Sequence, residues 1–350
     1  MRVRVLTKSE YIRWDEFVMR HEFGTIHQLS VWGEFQAGVA GRGPFWIVVL
    51  ENGERIVGGC LVVRHALPRG MCWLYGSRGP LLDYTDVDCE AQMGVLTDEV
   101  AKIAAGEKAV FWRIDPAVRV GEKGGGDDEF KKKFSGLGFR AIKEGFQPQH
   151  SLAVDLRGSE EEILAQMKQK GRYNIRLAEK KGVKILRSSE ADLAANVSEF
   201  YRLLTETTER DGFSGHKEGY YLRMLEVLGD KADLYLAEWE GKVIAGAIVT
   251  YFGDVATYYY GVSSNEFRSV MAPYSLHWEA MKEAKGRGFE WYDLFGIAPA
   301  GEEKGHSWEG VTEFKRKFGG QDLSYVQPME MAFRRVIYQL YRGYKKMKGK

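Results

Sequence analysis

Apolar positions gather into two runs of similar pattern, far apart in the chain. In the first, Gly53 precedes the apolar stretch Ile56–Val63, a turn falls at Leu67–Gly70, and Met71–Tyr75 leads into Gly76-Ser77. In the second, Gly241 precedes Val243–Tyr251, a turn falls at Gly253-Asp254, and Thr257–Tyr260 leads into Gly261, with Ser263 close behind. A turn glycine, an apolar strand, a short connection and an aromatic strand predict a strand pair in each run. A helical stretch follows each pair, over Asp88–Ala105 and Ala272–Arg287. A strand ending near an acid comes next, Phe111–Asp115 and Glu290–Asp293. A β-β-α-β order met twice predicts an α/β protein of two tandem domains, each a mixed sheet flanked by helices. The expected boundaries are 1–150, 151–325 and a basic C-terminal segment 326–350. Gly121–Lys133, rich in Gly, Lys and Asp, reads as an exposed loop.

Composition narrows the function classes. The chain has 350 residues, 44% of them hydrophobic, with 50 Lys and Arg against 49 Asp and Glu. So balanced a charge excludes nucleic-acid binding through overall charge and leaves local basic patches open. No apolar run reaches the ~20 residues of a membrane-crossing helix. The N-terminus has basic residues without the apolar stretch of a secretory signal. Three cysteines, Cys60, Cys72 and Cys89, lack metal-ligand spacing, and a reduced, cytoplasmic setting is expected. H-E-x-x-H, C-x-x-C and the P-loop pattern are absent, and nothing calls for a metal or a cofactor.

Local charge is uneven. Lys168–Lys184 holds seven basic residues and one acid. Arg172, Arg176 and Lys180 fall at i, i+4, i+8, so a helix puts them on one face, with Gly182 placed as its C-cap. Two readings stand: a solvated amphipathic helix, or a phosphate-binding face for RNA that includes Lys168 and Lys170. Met329–Lys350 mixes Phe333, Ile337, Leu340 and Tyr341 with seven Lys and Arg. It reads as an amphipathic helix, either a packed terminal helix or a surface drawn to tRNA or anionic membrane.

The repeated unit resembles the GNAT acyltransferase module, in which a glycine-rich turn before the central helix binds coenzyme A pyrophosphate. The corresponding Arg268–Pro273 lacks glycine, and Pro273 has no N–H, which disfavours a coenzyme A donor. An ordered series of motifs resembles more specifically the Fem-type aminoacyltransferases that build peptidoglycan interpeptide bridges. The series includes Gln28, Trp32–Phe35, Arg113–Pro116, Gly138-Phe139, Gln147-Pro148, Arg172–Arg176 and Thr208–Phe213. It continues through Tyr260–Ser264, Met271–Tyr274, Tyr292-Asp293 and Phe314–Gly320. Tyr220–Leu228 runs almost directly into the strand Leu234–Trp239, so the chain is similar to the compact form, without a helical hairpin insertion. Where members acting on a nucleotide-linked precursor carry a phosphate-binding lysine, position 36 is Gln36.

The resemblance implies aminoacyl-tRNA as donor and a nucleotide- or lipid-linked peptidoglycan precursor as acceptor; a monomer is expected, and the basic C-terminal segment leaves peripheral inner-membrane contact open. It implies that Asp115 orients or deprotonates the acceptor amine, whose pKa near ~10.4 keeps it charged at neutral pH. It implies that Lys315 stabilises the oxyanion. Arg210 is implied at the acceptor diphosphate, and Tyr258 and Tyr260, on one strand face, at the substrate. Plainer roles are an Asp115 turn cap before Pro116, a solvated Lys315–Lys317 face, Arg210 on a surface helix and tyrosines in the core. Two other functions stay open. One is a duplicated N-acyltransferase with another donor or acceptor. The other is a non-catalytic tRNA- or precursor-binding protein, against which Asp115 and Lys315 argue.

Overall fold

Both apolar runs fold as the strand pairs that their patterning predicts. The computed structural model describes residues 1–121, 126–143, 145–211 and 215–347, without the side chains of 209–211. In chain order the first part holds strands β1 (Arg2–Val5), β2 (Arg42–Asn52), β3 (Arg55–Ala66), β4 (Cys72–Gly76), β5 (Ala109–Ile114) and β6 (Phe139–Ala141). Helices α1 (Tyr11–Arg20), α2 (Ser30–Ala37), α3 (Cys89–Glu107) and α4 (Asp127–Ser135) lie among them. The central part holds β7 (His150–Asp155), β8 (Lys184–Arg187), β9 (Ala232–Trp239), β10 (Lys242–Phe252), β11 (Val255–Ser263), β12 (Trp291–Gly296) and β13 (Gln321–Ser324). Its helices are α5 (Glu160–Gln166), α6 (Gln169–Lys180), α7 (Leu193–Asp211), α8 (Glu218–Leu228), α9 (Ala272–Gly286) and α10 (Glu309–Lys315). Strand β14 (Met329–Ala332) and helix α11 (Arg335–Met347) end the chain.

Two units result, Met1–Gln149 with Ser324–Lys350, and His150–Leu323. The first sheet runs β1-β2-β3-β4-β5-β14-β6 and the second β13-β7-β12-β11-β10-β9-β8. β3 pairs antiparallel with β4, which pairs parallel with β5; β10, β11 and β12 repeat that pattern. The segment 326–350, expected as a basic C-terminal helix or tail, instead contributes a strand, β14, to the first sheet before its helix begins.

Each unit closes over its own core. β5 is buried along its whole length. In the second unit Leu152, Val154, Ala245, Ala247, Val249, Leu276, Ala280 and Ala284 pack together between the sheet and α9. The stretch expected as a loop over Gly121–Lys133 is partly helical. In α4, Asp127, Asp128 and Glu129 occupy the first turn, Lys132 and Lys133 the last, and Phe130 and Phe134 are buried at i, i+4. α8 passes through one short turn into β9, with no hairpin between them.

Candidate active site

Asp115 follows the last residue of β5, and burial leaves it 3% exposed. Its Oδ1 accepts the Arg78 backbone N–H at 2.7 Å, and its Oδ2 accepts the Tyr75 hydroxyl and, at 3.4 Å, the Gln147 amide. Burial pushes the carboxyl above its ordinary range, against the opposing pull of the Arg78 guanidinium and these donors. Arg78 has positive φ (52°) and is itself buried; its Nη2 donates to the Pro148 carbonyl at 2.9 Å, and its guanidinium lies 4.1 Å from the Tyr325 ring centre. Gln28 braces the loop, donating to the Ser77 carbonyl at 2.6 Å and accepting the Leu61 N–H at 2.8 Å. The site is therefore a carboxylate fixed by the β4–α3 connection, with its affinity for protons raised toward that of a working base.

Lys315 closes α10, and it does not lie on a solvated face: it is 6% exposed. Its Nζ donates to the Gly296 carbonyl at 2.7 Å and sits 5.6 Å from the Tyr258 ring centre. Burial lowers its pKa to about 8, the nearby Asp293 carboxylate opposing the fall. Asp293 accepts the Ser151 hydroxyl and, at 2.7 Å, the Phe295 N–H. His277 packs edge-on to Tyr258 at 4.3 Å, and burial holds its pKa down to about 3, so the imidazole stays neutral. An ammonium has three N–H donors, and in such low-dielectric surroundings its charge acts strongly on developing negative charge. The neighbours in Lys315-Arg316-Lys317 are held as well, Arg316 by Asp322 and Glu303, Lys317 by Glu313.

The basic segment forms α6 with Lys168 as its N-cap. Lys168, Lys170, Arg176 and Lys180 are exposed, whereas Arg172 is half-buried and bonds the Met167 carbonyl. The N-terminus of α6 lies against the turn after Lys315. Lys168 N–H bonds the Lys317 carbonyl at 3.1 Å, and a Cβ on Gly171 would stand 2.3 Å from that oxygen. Only glycine permits this approach.

Tyr258 and Tyr260 do not share a face. A bulge between Ile248 and Val249 pairs Val249 with Tyr258 and Ile248 with Tyr260, leaving Tyr259 as the extra residue. Tyr258 therefore joins Val249 on the α9 side beside His277, whereas Tyr260 meets Tyr221 of α8 at 5.2 Å and the Tyr220 hydroxyl at 3.1 Å. The Arg210 side chain lies outside the described residues. Gln36 is buried and accepts a bond from Arg42, a structural post. At the start of α9, the N–H groups of Val270, Met271 and Tyr274 are bonded within the turn, and Pro273 has none to give. Sequence reading missed Tyr75 and Arg78, which hold Asp115, and did not single out Asp293 as the carboxylate whose charge acts on Lys315. The Tyr75-Gly76 and Tyr260-Gly261 echo between the repeats was the available signal for Tyr75.

Two GNAT-like units in tandem define the structural class. Across 95–99% of both chains, the fold matches two solved structures. The crystal structure of FemX gives a TM-score of 0.82 at 21% identity, covering 97% of this chain and 99% of that one. A tandem GNAT protein from the clavulanic acid biosynthesis pathway gives 0.55 at 12%, covering 95% and 98%. The FemAB family pattern matches residues 6–242 and 239–346, and the chain belongs to the FemAB family. The lipid II:glycine glycyltransferase of Staphylococcus haemolyticus (strain JCSC1435) is 26% identical over 410 residues, covering 96% of this chain and 94% of that protein. The protein of the same name from Staphylococcus aureus (strain USA300) is 25% identical with the same coverage. An alignment of 410 positions exceeds the 350 residues of this chain, so these relatives carry segments with no counterpart here.

Proposed function

We propose that the protein is a tRNA-dependent aminoacyltransferase that extends the stem-peptide amine of a peptidoglycan precursor. The buried Asp115 carboxyl, held by Tyr75 and the Arg78 N–H, carries the reading: it supplies a placed proton acceptor at an acceptor amine. The amine nitrogen attacks the ester carbon of aminoacyl-tRNA, a C–N bond forms, and the C–O bond to the terminal ribose breaks. Asp115 takes the amine proton, Lys315 stabilises the oxyanion of the tetrahedral intermediate, and the departing ribose oxygen is reprotonated. Exposed Lys168, Lys170, Arg176 and Lys180 supply phosphate contacts for tRNA, and Tyr260 and Arg210 are the proposed acceptor contacts, Tyr258 lying on the opposite sheet face beside His277. Because aminoacyl-tRNA is a cytoplasmic donor, the reaction is assigned to that compartment.

A lipid-linked acceptor is favoured over a nucleotide-linked one by two observations. The relatives are named for lipid II, and Gln36 is committed to Arg42. The test is incubation with labelled aminoacyl-tRNAs and with lipid-linked or nucleotide-linked precursor, followed by product mass. We expect an increment of one or more amino-acid residues on the lipid-linked stem peptide. Transfer from an acyl-coenzyme A instead, or no mass change with any donor, would overturn the proposal.

A further inference from the structure

Helix α11 carries more apolar surface than the protein covers. One arc packs inward: Tyr338 is buried, and Ile337 and Tyr341 lie against the Trp73, Tyr75 and Phe111 cluster. The adjoining arc is bare. Val336 is 76% exposed, Leu340 70%, Tyr344 52% and Met347 81%. At i, i+4, i+8 and i+11 these four residues form one continuous stripe along the helix. Arg335, Arg342 and Lys346, all exposed, lie across the helix from the stripe, Arg335 and Arg342 at i−3 and i+4 of the packed Tyr338. A cleft of about 530 Å³ opens beside the helix, lined by Arg113, Lys143, Arg342, Lys345 and Lys346 among others. Arg113 and Arg342 share the buried Glu330 carboxylate, so the lining keeps a positive excess.

We infer that α11 is a membrane-docking surface, which lies in the interface of an anionic lipid bilayer with Val336, Leu340, Tyr344 and Met347 among the acyl chains and the cleft cations on headgroup phosphates. An apolar stripe on one side of a helix with Lys and Arg on the other is the arrangement such interfaces select, and charge complementarity chooses the anionic over the neutral lipid. A nucleic acid would use the cations and leave the stripe in water. The surface is argued from α11 alone and holds whatever the acyl acceptor is. Docking here would hold β5, the strand that leads to Asp115, at the lipid surface, since Phe111 of β5 packs on Tyr338 and Tyr341.

Sedimentation of the full chain with vesicles tests this without any transferase assay, so its outcome is separate from that of the proposed reaction. Phosphatidylglycerol-rich vesicles should bind the protein at least tenfold better than phosphatidylcholine vesicles, with affinity falling as salt rises. Val336→Ser, Leu340→Ser and Met347→Ser together should weaken binding at least tenfold, with an unchanged melting temperature because all three side chains are exposed. Lys345→Gln with Lys346→Gln should weaken it by about fivefold per charge, the effect of ~1 kcal/mol for each basic group near an anionic surface. Equal binding to both vesicle types, or a serine triple variant that binds like the parent, would overturn the inference. So would a Lys345→Gln, Lys346→Gln variant that keeps its vesicle affinity but loses tRNA affinity, since the cations would then serve nucleic acid.

Discussion

A lysine lowered to about pH 8 and a carboxylate raised above its usual range set opposite limits on a reaction that uses both. Lys315 must keep its proton to stabilise an oxyanion, so we expect kcat to fall as pH rises through about 8. Lys315→Met preserves much of the apolar stem and should cut turnover by about 10²–10³ with substrate binding nearly unchanged. A variant that turns over normally would remove Lys315 from the chemistry. On the acid side, Tyr75 donates to Asp115 and so favours its ionised form. Tyr75→Phe should therefore move the acid limb of the pH–rate profile to higher pH, read from kcat/KM against pH. If the limb stays in place, Asp115 is not the titrating base. Little of this could be read in the chain. The identities of Asp115 and Lys315 came through family resemblance, and a Lys-Arg-Lys run gives no sign that its first member is buried. The partner Tyr75 is 40 positions from Asp115, a separation that no local pattern bridges.

At the level of elements, the chain was most readable where periodicity was strong. The paired strands, α3, α6 and α9 fall close to the expected stretches because apolar alternation and glycine stops both mark them. The β11 bulge was not readable. A bulge depends on partner register, and Tyr258-Tyr259-Tyr260 reads as ordinary alternation until Ile248 and Val249 are set opposite it. The α4 region was misjudged because glycines before Asp127 drew attention from Phe130 and Phe134. For α6, the structure divides the basic set: Arg172 serves the Met167 carbonyl, whereas Arg176 and Lys180 reach solvent. Charge reversal of Lys168, Lys170, Arg176 and Lys180 should weaken tRNA binding and flatten its salt dependence, as counterion release requires. An unchanged slope of log K against log salt would return α6 to a solvated face. Gly171→Val, by contrast, should lower stability by displacing α6 from the Lys317 carbonyl, detectable as a lower urea midpoint.

At the scale of the whole molecule, the duplication was legible from the repeated strand-pair pattern, but the course of the chain's end was not. Nothing local in Met329–Ala332 says that it belongs between β5 and β6. The contacts that hold it there are long-range: Glu330, 1% exposed, meets Arg113, accepts the Tyr338 hydroxyl at 2.6 Å and lies 3.3 Å from Arg342. Removing one member of a buried ionic cluster strands the others, so Glu330→Ala should cost ~3–5 kcal/mol of unfolding free energy in urea titration. A loss below about 1 kcal/mol would mean that the cluster contributes little to joining the end to the first unit.

The placement of β14 also bears on how the protein is made. Residues 150–323 are contiguous and hold all of the second unit, whereas the first unit lacks an internal strand until positions 329–332 have left the ribosome. Domains usually fold in the order in which they are synthesised. Here the order reverses: the part begun first is completed last, and β5 and β6 wait while more than half of the 350 residues are added, with the gap between them open.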